Sequence, residues 1–517
     1  MLLQLRLDRR SVFVGFALFL TPTRSFAVDT ALGEFDSHLD IGGPRLAGMA
    51  TYNAVSQEYA VAASGLNMWA SRDEFHFLRK RIQGDFILQA RVEFIGTGVD
   101  PHRKLGWMAR ASLDADAAYA DGTVHGDGLT SLQYRRSQGA ITEQVKSTVT
   151  NPDFLQLERK GNTYIFSAAR FGDELSACQM TNLVLGDAPE VGLFLCSHNS
   201  NVTERAIFRD VRVIRPAKSD FVPYHDYIGS HLEILEISTG RRQLLHSSAQ
   251  PFEAPNWTPD GAALIYNGSG RGETRGRLFR FDLARRQPAL IDTAFANRNN
   301  NDHVLSFDGT QIGISHQNPS HDGRSAIYTV PVNGGVPRLV TSNAPSYLHG
   351  WSPDGQFLIY TGERNKEFDI YRIPASGGEE VRLTTAKGLD DGPEYTPDGQ
   401  FIYFNSARSG TMQIWRMKAD GSDQEQITHD ALNNWFPHVS PDGKWIAFLS
   451  FSKDVPPADH PYYKQVYLRL MPRDGGAAKV VAYVYGGQGT FNVPSWSPDS
   501  RRVAFVSNSD LTLDSKP

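Results

Sequence analysis

The chain has 517 residues, 40% of them apolar, with 52 Lys and Arg against 57 Asp and Glu. That is ample for two domains with real cores, and the net charge of −5 leaves no basic footprint for nucleic acid. No basic run suits a membrane surface, and beyond the N-terminus no apolar stretch reaches the length of a membrane span, so the mature form is expected to lie outside the membrane.

Residues 1–27 read as a signal peptide. Arg9-Arg10 close a basic segment, residues 11–20 are apolar but too short for a permanent anchor, and Ser25-Phe26-Ala27 is a small-x-small cleavage site. The arginine pair followed by Ser11, Val12 and Phe13 resembles a twin-arginine export signal, with Asp8 where a hydroxyl residue is usual; ordinary secretion is the alternative. Either route implies a periplasmic or extracellular protein. The two cysteines, Cys178 and Cys196, suit a disulfide in such a compartment or two buried thiols.

Residues 28–216 read as short strands broken by Gly, Asp and Asn, which predicts an all-β sandwich. Strand composition is clearest at 86–92, 164–168, 191–196 and 206–214. The run Phe75-His76-Phe77-Leu78, then Gly84-Asp85-Phe86, Val191-Gly192-Leu193-Phe194 and Phe208-Arg209-Asp210-Val211, resembles the concanavalin-like jelly-roll modules of secreted carbohydrate-active proteins. Trp69, Trp107 and Tyr134 are candidates to stack on a sugar ring or to pack in the core. Residues 217–230 lack a period and read as a linker.

From 231 to 510 one phrase recurs: Thr258-Pro259-Asp260-Gly261, Ser306-Phe307-Asp308-Gly309, Ser352-Pro353-Asp354-Gly355, Thr396-Pro397-Asp398-Gly399, Ser440-Pro441-Asp442-Gly443 and Ser497-Pro498-Asp499-Ser500, at spacings of 48, 46, 44, 44 and 57. A period of that size with strand-like sequence between the phrases predicts a β-propeller of six blades. The long last interval holds a Pro-rich insertion at 455–463. Only one strand follows the sixth phrase, at 503–506; segments 232–237 and 243–246 supply its missing outer strands, so both ends of the repeat region close the ring. Residues 511–517 are a tail.

The residues before each phrase are expected to face the propeller axis or its mouth. They are polar: Asn299 to His303, Ser346-Tyr347-Leu348-His349, Asp390-Asp391-Gly392-Pro393-Glu394, Asn433-Asn434-Trp435-Phe436-Pro437-His438, and Gly487 to Asn492. Convergent imidazoles, carboxylates and amides in a concavity mark a small-ligand site. The candidate catalytic groups are His303, His349, Asp391 and Glu394. Candidate substrate-binding groups are Asn301, Asp302, Asn433, Asn434, Trp435, Gln488 and Asn492, with Arg364 and Arg408 to pair with an acidic sugar. His303, His349 and His438 could hold a divalent metal such as Mn, Zn, Ni or Fe.

The six phrases resemble the TolB-like propeller repeats of bacterial periplasmic proteins. That family includes non-catalytic scaffolds with protein partners as well as enzymes, among them oligogalacturonate lyases. The Phe436-Pro437-His438-x-Ser440-Pro441-Asp442-Gly443 segment is similar to the lyases' His-x-His segment before the phrase: His438 matches the second His, Phe436 replaces the first, and Asn433 stands where Gln is expected. The resemblance implies a metal-assisted β-elimination on a uronate-containing oligosaccharide. Two alternatives stand beside it: a scaffold that binds a glycan or a periplasmic protein, and a glycoside hydrolase using Asp391 and Glu394. The chain has no Gly-x-Ser-x-Gly elbow, which argues against a peptidase.

Overall fold

The computed structural model describes residues 32–269 and 276–513. The expected signal peptide and the end of the tail lie outside them. The described residues form eight antiparallel sheets, with two single 3-10 turns as their helical content, at Pro319–His321 and Leu511–Leu513.

Two seven-stranded sheets make the N-terminal half. In spatial order the first holds Ser37–Ile41, Phe75–Arg81, Glu190–Cys196, Lys104–Arg110, Tyr119–His125, Thr130–Arg135 and Glu143–Lys146. The second holds Ser176–Met180, Thr163–Ala169, Phe154–Lys160, Phe86–Ile95, Glu204–Ile214, Glu58–Ala63 and Met49–Asn53. Leu78, Trp107, Leu132 and Leu193 of the first sheet pack on Leu88, Leu157, Phe166 and Phe208 of the second in one core. Trp107 and Tyr134 belong to that core, so neither offers a ring to a sugar. Cys178 and Cys196 lie in different sheets and are free thiols: Cys196 is fully buried and donates to the Glu74 and Gly65 carbonyls.

Six blades follow. Blade 1 spans Phe252–Trp257 to Gln287–Ile291, blade 2 Asn299–Leu305 to Arg338–Leu339, and blade 3 Ser346–Trp351 to Val381–Arg382. Blade 4 spans Asp390–Tyr395 to Glu425–Gln426 and blade 5 Asn433–Val439 to Lys479–Gly486. Blade 6 closes the ring as expected: Arg502–Ser509 pairs with Gly229–Glu236, which pairs with Arg241–Ser248, while Trp496 bridges Val503 on the inner side.

The phrase recurs because one turn needs all of its groups. Ser352 Oγ donates to Asp354 Oδ1 at 2.5 Å, the same Oδ1 accepts Gln356 N–H at 3.0 Å, and Phe357 N–H donates to Ser352 Oγ at 2.8 Å. Gly355 takes the left-handed conformation at φ +71°. In the sixth phrase Ser500 holds that conformation at φ +59°. Indoles one residue before the phrase stitch neighbouring blades: Trp351 Nε1 donates to Val304 O at 3.0 Å and Trp496 Nε1 to His438 O at 2.9 Å.

The two halves are locked together through blades 5 and 6. The Glu233 carboxylate, fully buried in blade 6, meets Arg212 of the second sheet and Arg242 at 2.6 Å each, and accepts Ser507 Oγ at 2.5 Å. Phe154 stacks on Tyr483 with centroids 3.9 Å apart, and Gln57 pairs with both backbone groups of Leu244.

Candidate functional site

The inner strands carry the site, and a bulge in each decides which residues reach it. Pairing slips between Glu253 and Asn256, Asn299 and His303, Leu348 and Gly350, Asp391 and Glu394, and Trp435 and His438. Three bulges hold a left-handed residue: Ala254, Gly392 and Phe436, with φ between 54° and 61°. An extra residue turns the strand, so side chains on either side of the bulge face different levels of the axis. Five residues before the phrase lies an upper ring: Glu253, Asn301, Tyr347, Asp391 and Asn492 all line one cavity of about 670 Å³. Two residues before the phrase lies a lower level, where Asn256 and Glu394 border a separate cavity of about 300 Å³ among the phrase turns.

The upper cavity is acidic and amide-rich inside. Asp391 Oδ1 lies 3.1 Å from His349 Nε2 and accepts Thr361 Oγ1 at 2.6 Å, while its Oδ2 lies 3.9 Å from His460 Nε2. Burial would raise the Asp391 carboxyl, but the hydrogen bond and charge of His349 outweigh it and hold it at about 2. Burial would lower His349, but Asp391 and then Asp302 raise it above the ordinary imidazole value. Asp302 is pushed up to about 6 by burial. Glu253 is pushed up to about 8, by burial first and the Asp302 charge second, so it is protonated at neutral pH. Burial lowers His460, which keeps it neutral. Environments that separate titratable groups in this way assign acid and base roles. Asn301 Nδ2 and Asn267 Oδ1, both buried against the cavity, have no hydrogen-bond partner among the described residues.

Of the residues expected from sequence, His349, Asp391, Asn301, Asp302, Gln488 and Asn492 line this cavity. The others do not. His303 is fully buried between two backbone carbonyls, Asn301 O at 3.0 Å and Ile265 O at 3.2 Å, and burial drops it to about 4. Glu394 and His438 pair at 2.5 Å below the bulge, with His438 Nε2 on Phe491 O at 3.0 Å. Asp391 and Glu394 therefore open on different cavities. Asn433 Nδ2 donates to Val455 O at 2.9 Å and so pins the insertion; Asn434 is consumed by Thr428, Asp430 and Ser450. Trp435 stands edge-on to His460 with centroids 4.5 Å apart. Arg364 is bound to Glu380 at 2.8 Å and Arg408 to Asp390 at 2.6 Å, so neither is free for a uronate.

The residues expected to hold a divalent metal do not fit one. His303, His349 and His438 point to three separate sets of partners and do not meet. Among the described residues no three His, Cys, Asp or Glu side chains are grouped to ligate a cation.

Several residues that line the cavity lie outside the sequence expectation. Glu253 sits before the first phrase at the offset shared by Asp391, and that offset could have found it. His460, Tyr224 and Tyr227 come from the insertion and the linker, which follow no repeat. Arg298 and Arg324 also line the cavity, and Arg298 forms no ion pair with another described residue.

Comparison with known proteins agrees with the propeller part of this architecture. The family model of the TolB β-propeller domain, PD40, matches residues 344–458. An uncharacterized protein of Agrobacterium fabrum is 47% identical over 278 residues, 54% of this chain and 92% of that protein. A solved structure from Agrobacterium tumefaciens, named for TolB, is 46% identical with a TM-score of 0.51 and covers 55% of this chain and 99% of its own. An oligogalacturonate lyase in complex with manganese aligns over 56% of this chain and 98% of its own, at 14% identity and a TM-score of 0.35, a likeness too loose to carry an argument. The chain therefore belongs to the TolB-like PD40 β-propeller family.

Proposed function

We propose that this is a periplasmic or extracellular carbohydrate-active protein whose funnel cleaves a uronate-containing oligosaccharide by β-elimination. One observation carries the reading: the upper cavity joins an ionised Asp391 between two imidazoles to a Glu253 that stays protonated. Neutral His460 is the group able to take the proton beside the uronate carboxyl. Protonated Glu253 can donate a hydrogen bond to that carboxyl and so ease the build-up of negative charge. His349, whose protonated form Asp391 favours, can steady the negative charge that builds on the departing glycosidic oxygen, which takes its proton from water. The amides without partners among the described residues suit hydroxyl groups, and Arg298 at the rim suits an acidic substituent. A concanavalin-like reading of the N-terminal double sheet belongs to the same proposal, as a sugar-binding fold beside the funnel.

A second reading, a scaffold binding a periplasmic protein, draws on exposed Leu290, Leu339 and Val381 along the outermost strands of blades 1 to 3. One assay separates the two. The purified chain is incubated with a panel of uronate oligosaccharides, with and without chelator, and absorbance of the unsaturated product is followed. The lyase reading expects product that survives chelation and disappears in Asp391→Asn and His460→Ala. No product and no heat of binding with any member would overturn it and leave the scaffold.

A further inference from the structure

The mouth of the upper cavity is built by segments outside the repeat. Tyr224 and Tyr227, from the linker, both line it, and so does Tyr462, from the blade 5 insertion. The rings stand edge-on: Tyr224 and Tyr462 have centroids 5.4 Å apart at 80°, Tyr227 and Tyr462 5.7 Å apart at 80°. Tyr224 is 60% exposed at a φ of +61°, an unusual conformation for a ring-bearing residue, and it sets this side chain over the opening.

The N-terminal half holds this arrangement in place. Ile87 and Ile214 of the second sheet pack with Ile228, Tyr462, Tyr463 and Tyr485 in one apolar cluster, against which Tyr227 and Phe221 rest. Tyr463 accepts the Ile228 N–H at 3.1 Å, and Tyr485 accepts the Ala217 N–H at 2.9 Å. The linker is thus tied down at both ends against blade 5. Nearly half of this chain stands outside the match to the Agrobacterium relatives.

We propose that Tyr224, propped edge-on by the half-buried Tyr227 and the buried Tyr462, forms an aromatic clamp, braced by the N-terminal double sheet, that takes the flat face of a second sugar ring next to the one held in the funnel. The clamp rests on the carbohydrate reading of the cavity and deepens it: the ligand is an oligosaccharide of at least two rings, not a monosaccharide. The apolar face of a pyranose stacks on an exposed aromatic ring, and rings already fixed by their neighbours lose little freedom on binding.

The test is titration calorimetry of the full chain, carrying His460→Ala in the parent and every variant so that no ligand is cleaved, with galacturonic acid and its dimer and trimer. The parent is expected to bind the trimer more tightly than the monomer. Tyr224→Ala should weaken trimer binding by about tenfold while leaving the monomer unchanged, and Tyr224→Phe should restore it. Because Tyr224 is exposed, the variant should melt with the parent. Asp391→Asn reads the funnel separately and should weaken every length alike. If Tyr224→Ala binds the trimer as the parent does while Asp391→Asn fails, the clamp is wrong and the funnel reading stands. If it weakens monomer and trimer equally, the clamp is also wrong. If the parent binds no member of the series, both fall.

Discussion

The two ends of the propeller axis are built by the same inner strands, a few residues apart, and they meet opposite fates. At the lower end the polar groups, the Trp257 indole N–H excepted, satisfy one another: Glu394 takes both His438 and the Val439 N–H, and Asn256 binds Leu305 N–H and Pro494 O. At the upper end Asn301 Nδ2 and Asn267 Oδ1 are left without partners, and two carboxyls are pushed far from their ordinary values. Buried polar groups are normally paired, so the few unpaired amides beside the upper cavity, all from blades 1 and 2, suit a ligand that would pair them. The contrast teaches that polarity on a propeller axis is no guide to function by itself. What separates a plug from a site is whether the polar groups are spent on each other.

The comparison can be broken or sharpened by substitution, and the largest effect lies outside both rings. Glu233→Ala leaves two buried guanidiniums facing each other where the ring closes on the double sheet, and should cost about 3–5 kcal/mol in urea denaturation. Arg212 and Arg242 hold the Glu233 carboxyl well below its ordinary 4.5 against the cost of burial. Its folded value is depressed, so its stabilisation is present above pH 4.5 and fades as pH falls below it. Glu233→Gln should lack that acid-dependent part.

Within the upper ring the sign is reversed. Glu253 has a folded value of about 8 against 4.5, so the folded state binds the extra proton and stability declines as pH rises from 4.5 to about 8. Glu253→Gln, which mimics the protonated form, should flatten that decline over the interval by a few kcal/mol, read from melting curves at successive pH. A slope identical to the parent would show that Glu253 is not the group that titrates.

At the lower level, His438→Ala should destabilise by about 2 kcal/mol by taking from Glu394 one of its two partners, with ligand binding per folded molecule unchanged. The smallest effect is expected at the bulge. Gly392→Ala would place a Cβ 2.6 Å from Asn405 Oδ1 at a φ of +61°. It should cost about 1–2 kcal/mol and shift Asp391 enough to lower activity more than stability.

How far the sequence carried this picture depends on the element. The phrase was legible because its Ser or Thr, Asp and Gly are each required by one turn, so six copies count six blades and the leftover strand predicts the closure seen between Arg502–Ser509 and Gly229–Glu236. The site was half legible. Offsets from the phrase find a ring, but His303 and His349 share an offset and only His349 reaches the cavity. The difference is where the bulge falls: between Asn299 and His303 in blade 2, between Leu348 and Gly350 in blade 3. Composition does not reveal a one-residue slip. The linker tyrosines and His460 were beyond reach for another reason, since segments outside a repeat have no register to read.

The most direct test of the account is a paired measurement on Asp391→Asn and His438→Ala: turnover of a uronate oligosaccharide, per folded molecule, alongside the melting temperature of each. The account predicts that Asp391→Asn loses turnover by a hundredfold or more, on the order of a lost acid–base group, while melting close to the parent, and that His438→Ala melts lower yet turns over normally. An Asp391→Asn protein that is fully active, or a His438→Ala protein that is stable but inactive, would put the functional end of the axis on the other side of the bulge.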